Sequence, residues 1–307
     1  MKVLLFPGQG AQRVGMGKDL AERFPEARDA FLAIDEALGV PLSRLMWEGP
    51  EEQLNQTHNT QPAILAHSAA VLAVVGSRLS EVAAAAGHSL GEYSAWVAAG
   101  SLSATQAAQL VRRRGELMHE AGSARPGAMA AVLGLGTAEV AAACTAASAS
   151  GGQVVAANIN APDQTVISGD AVAVERAGVF CKAAGAKRVL PLKVSGAFHS
   201  PLMAPAEAGL REALAEATML PPVFPVIANA SAAPVTRPGD AIRLLAEQLT
   251  APVRWVESML VADNMAPDAT WIEIGPGSVL SGLLKRILPG PRSATLGTAV
   301  EVEAFLR

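Results

Sequence analysis

The sequence has few cysteines, few aromatic residues and little net charge, and these scarcities exclude several classes of protein. Cys144 and Cys181 are the only cysteines among 307 residues. Two thiols are too few for a disulfide framework or a cysteine-based metal site, so we expect two small core residues in a reducing compartment. The formal net charge of −4 disfavours nucleic acid, which selects basic surfaces. We therefore expect neither a metal site nor a nucleic-acid partner.

Long apolar runs are scarce as well. Residues 3–6 are apolar, but Pro7 and Gly8 end this run far short of the hydrophobic region of a signal peptide. We find no run that approaches the length of a membrane-spanning helix. The sequence therefore predicts a cytoplasmic protein without a membrane partner.

Small hydrophobic residues are abundant instead. Hydrophobic residues make up 50% of the chain, although aromatic residues contribute only 4%. An alanine-rich composition favours helices that pack closely on a sheet. The length fits one large α/β domain, or such a domain with an insertion.

The most informative stretch is a strand-like run, residues 82–86, followed by Gly87-His88-Ser89-Leu90-Gly91 and a helix-compatible segment. This is the G-x-S-x-G pattern of a nucleophile elbow, in which a sharp turn from strand to helix exposes the serine hydroxyl. Glycines at both ends permit the close approach of strand and helix. The helix start also points free backbone N–H groups at the reacting centre. The alternative interpretation is a glycine-rich turn with an incidental serine.

A second loop, residues 7–12, follows the first predicted strand, residues 3–6. It contains neither the dinucleotide fingerprint GxGxxG nor a GK[ST] phosphate loop. The loop brings backbone N–H groups and glutamine side chains to the carboxyl edge of a parallel sheet, where ligands bind in such folds.

Between residues 125 and 195 the pattern changes to short strands and helices in the order β-α-β-β-α-β, which is the ferredoxin-like motif. We therefore predict an inserted ferredoxin-like small domain at 125–195. Residues 1–124 and 196–307 form the large domain, an α/β-hydrolase-like fold with a parallel sheet and a nucleophile elbow.

A serine nucleophile needs a base within hydrogen-bond reach, and the chain offers five histidines: His58, His67, His88, His119 and His199. His199 is favoured because it follows the serine in chain order and lies in a loop that returns to the main domain. His67 falls inside a predicted helix and is expected to be a satisfied core or surface residue. No acid is singled out to orient the histidine; Glu92 is too near the elbow, and Glu273 at a strand end is the best of the remaining acids.

Five motifs then occur in an order and at spacings that identify a family. They are Phe6-Pro7-Gly8-Gln9-Gly10-Ala11-Gln12, Gly87-His88-Ser89-Leu90-Gly91-Glu92-Tyr93, Arg113-Arg114-Gly115, Gly196-Ala197-Phe198-His199-Ser200 and Gln248-Leu249-Thr250-Ala251-Pro252-Val253-Arg254-Trp255. The chain resembles malonyl-CoA:acyl-carrier-protein transacylases and the acyltransferase domains of polyketide synthases, over essentially its whole length.

The resemblance implies a ping-pong acyl transfer without a cofactor, with the CoA thioester as substrate. Ser89 would attack malonyl-CoA with His199 as its base, and a phosphopantetheinylated acyl carrier protein would then take the malonyl group. A backbone carbonyl, which maps to Gln248, would orient His199 in place of a carboxylate. The backbone N–H groups of Gln9 and Leu90 would form the oxyanion hole.

The resemblance also assigns the substrate pocket. Arg114 matches the arginine that binds the malonyl carboxylate, and a guanidinium suits that task because it offers two parallel hydrogen bonds. Its neighbours Arg112 and Arg113 point elsewhere, since consecutive helical residues diverge by about 100°. Phe198 matches malonyl-selective members, whereas methylmalonyl enzymes carry a smaller residue there. Three further residues are expected near the substrate: Gln61, Asn160 and His88.

Two alternatives to a transferase remain at this stage. The same Ser-His pair would serve an esterase or acyl-thioester hydrolase, although an arginine in the acyl pocket argues against a lipase. A non-catalytic module that docks carrier proteins is disfavoured by the intact Ser89, His199 and Arg114. Because carriers are acidic, exposed basic residues are candidates for docking: Arg112, Arg113, Lys285 and Arg286. We expect a monomer.

Overall fold

A computed structural model describes all 307 residues. The ten strands are β1 (Lys2–Phe6), β2 (Val82–Gly87), β3 (Ala128–Leu133), β4 (Val154–Ala161), β5 (Gln164–Gly169), β6 (Arg188–Pro191), β7 (Val226–Ile227), β8 (Pro234–Val235), β9 (Thr270–Ile274) and β10 (Arg292–Leu296). The helices are α1 (Lys18–Arg23), α2 (Pro25–Leu38), α3 (Leu42–Glu48), α4 (Glu51–Leu54), α5 (Thr57–Val75), α6 (Gly91–Ala98), α7 (Ala104–Ala124), α8 (Thr137–Ala149), α9 (Ala171–Ala183), α10 (Ala204–Glu216), α11 (Pro238–Glu247), α12 (Trp255–Met265), α13 (Val279–Ile287) and α14 (Ala299–Leu306).

The main sheet has the strand order β10-β9-β1-β2-β7-β8 and is parallel except for β8. Successive side chains of β1 enter opposite cores: Leu4 and Phe6 join the larger hydrophobic cluster, and Val3 and Leu5 join the second. Helices therefore cover both faces, which explains why β1 is an uninterrupted apolar run. The carboxyl ends of β1 and β2 meet at the edge that carries residues 7–12 and the elbow.

The second sheet has the order β4-β5-β3-β6 and is antiparallel throughout. With α8 and α9 it forms the ferredoxin-like unit, so the predicted fold class is confirmed. The boundary at 125–195 itself stays a prediction. The Ile159 backbone N–H donates to the Val253 carbonyl, and the Val253 N–H to that of Ala157, at 2.9 and 2.8 Å. Strand β4 is thereby tied to the segment that follows Gln248.

The pair Gln61-Pro62 predicts the start of a long apolar helix that runs to about Leu79. The helix begins at Thr57 instead, so Pro62 lies inside it. Proline cannot donate to the carbonyl four residues earlier, and Arg112 Nη1 donates to that His58 carbonyl instead, at 3.1 Å. By length and composition this helix with the following turn, Thr57–Arg78, qualifies as a membrane span, so our prediction of no such run is wrong. Its most apolar stretch is 72% buried inside the protein, which is typical of a core helix.

Other differences concern short edge elements. The sequence of residues 223–229 predicts a strand, but the structure has only Val226–Ile227 there. This short strand follows Pro225, which lacks an N–H to donate to a neighbouring strand. Strand β10 and helix α14, which complete the main sheet and cover it, had no sequence prediction. One prediction here is confirmed: residues 19–38 are expected to be helical with a break at Pro25, and the two helices are separated at Phe24.

Candidate active site

The elbow forms as its pattern predicts. Ser89 lies between β2 and α6 with φ 54°, a left-handed conformation that is costly for a serine. A Cβ on Gly87 would come within 1.9 Å of the Gly91 backbone, and one on Gly91 within 2.2 Å of the Phe6 carbonyl oxygen. Both positions therefore require glycine, because the obstructing atoms belong to the backbone.

Asn229, which the sequence analysis missed, holds this strained turn. Its Oδ1 accepts a hydrogen bond from the Ser89 backbone N–H at 2.7 Å, and its Nδ2 donates to the Gly87 carbonyl at 2.7 Å. One buried amide thus provides the hydrogen-bond partner for two backbone groups of the turn, the Ser89 N–H and the Gly87 carbonyl. Its position at the carboxyl end of the predicted strand 223–229 was the available signal, since side chains at the carboxyl ends of parallel strands converge.

The structure brings Ser89 and His199 together. Ser89 Oγ lies 2.8 Å from His199 Nε2, and His199 Nδ1 lies 2.9 Å from the Gln248 backbone oxygen. Because a carbonyl only accepts, Nδ1 carries the proton and Nε2 is free to accept from Ser89. Burial, reinforced by the charge of Arg114, lowers the pKa of His199 to about 3. The imidazole is therefore neutral near pH 7, as a general base must be.

The other histidines occupy different places. His67 is buried in the core and neither ring nitrogen has a hydrogen-bond partner, so it is not the satisfied histidine that we expected. His58 and His119 lie against each other, with ring centroids 5.8 Å apart. His88 Nε2 pairs with Asn160 Oδ1 at 2.8 Å, and both residues line the cleft beside Ser89.

No carboxylate orients His199. Glu273, the best acid by sequence, accepts hydrogen bonds from the backbone N–H groups of Leu280 and Ser281 at the start of α13. Glu92 is buried and accepts from the Gln248 side chain rather than from a histidine. The group in contact with His199 Nδ1 is instead the Gln248 backbone carbonyl.

Arg114 is buried under the cleft, while Arg112 and Arg113 point to the surface side of α7, as the helical spacing predicted. Its Nη1 donates to Gln61 Oε1 at 2.7 Å, and its Nη2 donates to Ser89 Oγ at 3.0 Å and to Gln248 Oε1 at 2.9 Å. All three partners are neutral. A buried guanidinium without a carboxylate partner is suited to receive one from a ligand.

The expected oxyanion donors are Gln9 and Leu90, which both line the cleft. Neither backbone N–H donates a hydrogen bond to another group of the protein. Phe198 lies in the same wall and is 6% exposed. Gln61 does not line the cleft; it lies behind Arg114, with its Nε2 3.3 Å from Met118 Sδ.

Three of the four candidate docking residues already form ion pairs within the protein. Arg112 and Arg113 pair with Glu116, and Arg286 pairs with Asp163, so these cations are partly engaged at the surface.

No group of three or more histidine, cysteine, aspartate or glutamate side chains is placed to hold a metal ion.

A family model described as an acyl transferase domain matches residues 3–300. The chain is 48% identical to the malonyl CoA-acyl carrier protein transacylase of Bacillus subtilis (strain 168) over 285 residues, 92% of this chain and 89% of that protein. It is 46% identical to the enzyme of the same name from Escherichia coli (strain K12) over 305 residues, 98% of this chain and 97% of that one.

Solved structures agree with these matches. An acyl carrier protein S-malonyltransferase from Vibrio cholerae superposes with a TM-score of 0.95 at 45% identity, covering 99% of each chain. A malonyl transacylase solved in complex with a holo acyl carrier protein of a type II polyketide synthase superposes with a TM-score of 0.94 at 41% identity, covering 99% of this chain and 98% of that one.

Proposed function

The chain belongs to the acyl transferase domain family, and from that premise we propose that it moves malonyl from malonyl-CoA to the phosphopantetheine thiol of an acyl carrier protein, in fatty-acid or polyketide synthesis. The observation that carries the proposal is the position of Ser89 Oγ, 2.8 Å from a neutral histidine nitrogen and 3.0 Å from a buried guanidinium. This arrangement suits a substrate with a thioester at one end and a carboxylate at the other. The Ser-His pair would attack the thioester, and the guanidinium would bind the carboxylate.

In the first half-reaction Ser89 Oγ attacks the thioester carbonyl while His199 Nε2 takes its proton. The negative charge that develops on the carbonyl oxygen is placed against the free N–H groups of Gln9 and Leu90. The Gln248 carbonyl stabilises the imidazolium through Nδ1. The C–S bond then breaks, the proton passes from His199 to the departing sulfur, and CoA leaves a malonyl-serine ester.

The second half-reaction runs the same steps in reverse with a new thiol. His199 removes the proton of the phosphopantetheine thiol, and the thiolate attacks the ester carbonyl. The Ser89–acyl bond breaks and His199 returns the proton to Oγ. Serine and histidine supply the nucleophile and the base, so the reaction needs no cofactor.

Selectivity for malonyl comes from two residues. The substrate carboxylate replaces Ser89 Oγ as a partner of the Arg114 guanidinium, with Gln61 and Gln248 holding that group in place. Phe198 lines the cleft, and its bulk beside the α-carbon would exclude a methyl branch, although one methyl group is worth only about 1–3 kcal/mol in a pocket. His88 and Asn160 support the cleft wall.

We retain the further expectations of a monomer in the cytoplasm that docks an acidic carrier through exposed basic residues. The transacylase names of the relatives support the transferase, and nothing among the matches supports the hydrolase alternative.

Intact mass measurement tests the proposal. The protein is mixed briefly with malonyl-CoA, methylmalonyl-CoA or acetyl-CoA, with and without a phosphopantetheinylated carrier. We expect a malonyl adduct that is absent in Ser89→Ala and moves to the carrier. An adduct lost to water at one rate with or without carrier would instead identify a hydrolase.

A further inference from the structure

The acyl-transfer steps make no use of Glu92, although this residue lies directly beneath the site. Its side chain is fully buried on α6. Oε2 accepts hydrogen bonds from the Asn229 backbone N–H at 2.9 Å and from Gln248 Nε2 at 2.7 Å. Oε1 makes no hydrogen bond of normal geometry. The Trp96 indole also lies near this carboxyl group and acts to lower the pKa of Glu92. Because both hydrogen bonds of normal geometry go to Oε2, a proton on Oε1 leaves them in place.

Gln248 joins this carboxyl group to the substrate receptor. Its Oε1 accepts from Arg114 Nη2 at 2.9 Å while its Nε2 donates to Glu92. The two ends of one amide therefore face a cation and a carboxylate. Because Arg114 has only neutral groups in direct contact, Glu92 is the group placed to balance its charge through the amide.

We propose that Glu92 is a positioning residue that balances the charge of Arg114 in the free enzyme, and that it takes up a proton when the malonyl carboxylate binds to Arg114. This inference rests on the proposed function, because it requires a substrate carboxylate at that guanidinium. The proton comes from solvent and adds to Oε1, so neither hydrogen bond to Oε2 has to break.

The charges of the buried site give the direction of this change. Burial raises the pKa of Glu92 to about 7, against the attraction of Arg114 and the hydrogen bonds from Asn229 and Gln248. A malonyl carboxylate neutralises that attraction and adds a like charge, so the pKa of Glu92 rises further. Among its neighbours, burial raises the pKa of Tyr93 and lowers that of His199, so both stay uncharged. Glu92 is thus the group that changes charge near neutral pH.

Acetyl-CoA provides a natural contrast, since an acetyl group carries no carboxylate. Acetylation should leave the charge of Glu92 unchanged, whereas malonylation should consume protons. Consequently the equilibrium extent of malonylation should fall as pH rises above 7, relative to acetylation, because proton uptake becomes harder.

The experiment measures proton uptake on mixing the enzyme with malonyl-CoA in weakly buffered solution at pH 7 to 8, with a pH indicator. Intact mass of the same samples gives the malonyl groups bound. The matched variant is Glu92→Gln, which keeps the shape but does not titrate, so ionisation of the released CoA thiol cancels in the difference. We expect the wild type to take up more protons per malonyl group than the variant, by up to one, and no such difference with acetyl-CoA.

Equal uptake by wild type and variant at equal malonyl yield would overturn the inference and leave the proposed function intact. A wild type that gains no malonyl adduct would overturn the function itself. If Glu92→Gln does not fold, infrared difference spectra of the wild type decide the matter: malonylation with ¹³C-labelled substrate must produce a carbonyl band of a protonated carboxyl group that the label does not shift. Absence of that band would refute the inference.

Discussion

The role proposed for Arg114 makes a prediction about substrate choice. The variant Arg114→Ala removes the receptor for the malonyl carboxylate, and a lost hydrogen bond to a charged group costs about 1.5–3 kcal/mol. We therefore expect kcat/KM for malonyl-CoA to fall on the order of 10- to 100-fold, while that for acetyl-CoA changes little. Kinetics with both substrates check this, and an unchanged preference for malonyl would refute the assignment of Arg114.

Asn229 acts on the nucleophile without touching the substrate. In Asn229→Ala the Ser89 N–H and the Gly87 carbonyl lose their partner, at roughly 1–3 kcal/mol for each buried group. We expect a lower melting temperature and a lower kcat, with a smaller change in KM. The control is Ser231→Ala, because the Ser231 hydroxyl is buried without a partner; a similar loss in both variants would contradict the role given to Asn229.

The strand-turn-helix element depends on its glycines. Gly87→Ala places a Cβ 1.9 Å from the Gly91 backbone, so we expect destabilisation beyond the ~1–3 kcal/mol typical of overpacked sites. Gly239→Ala is the matched control, since a Cβ there meets nothing within 4 Å at the start of α11. It should stabilise the protein by about 0.5–1 kcal/mol. Denaturant unfolding measures both, and equal stabilities would disprove the steric argument.

Elements were predictable from sequence where the signal is local. The elbow, the β-α-β-β-α-β order and the Ser103-capped helix α7 each follow from turn residues and hydrophobic periodicity. The start of α5 was misplaced because Pro62 is a helix-opening signal, and only the distant Arg112 makes an internal position tolerable. Strand β10 alternates exposed and half-buried residues at a sheet edge, which gives weak periodicity.

The site was predictable to the extent that its residues lie in motifs. Ser89 and its elbow follow from the pattern itself, and chain order and loop position favoured His199. The family resemblance supplied Arg114 and the Gln248 carbonyl. Asn229 was missed, and Glu92 was considered only as a triad acid, because their partners lie 137 to 156 residues away in sequence. Contacts of that separation exist only once the sheet has assembled.

For the whole molecule, buried ionisable groups predict how stability depends on pH. Burial lowers the pKa of His67 and of His199 to about 3, so the unfolded chain binds more protons between pH 3 and about 6.5 and stability rises with pH there. Burial raises the pKa of Glu92 to about 7, so the folded chain binds more protons than the unfolded chain between about pH 4.5 and 7. The stability that the protonated Glu92 contributes is therefore lost as pH rises through this range. We expect a steep rise up to pH 4.5, a gentler one to 6.5, and then a slight decline.

A variant isolates one part of that profile. His67 plays no part in the proposed chemistry, and its ring nitrogens have no hydrogen-bond partner. The variant His67→Leu should therefore raise the free energy of unfolding at low pH. Between pH 3 and 6.5, the slope of that free energy against pH should fall by the equivalent of up to one bound proton. Denaturant unfolding at a series of pH values gives the slope. A slope equal to that of the wild type would show that His67 does not carry the pH dependence.

The strand order has a consequence for protein synthesis. Strand β1 lies between β2 and β9, so one edge of β1 stays unpaired until residue 274 has been translated. At roughly 5–20 residues per second this takes on the order of tens of seconds. All strands of the smaller sheet have emerged by residue 191, well before the main sheet is complete. The nascent chain therefore presents an apolar strand edge that is open to unwanted pairing until β9 has been made.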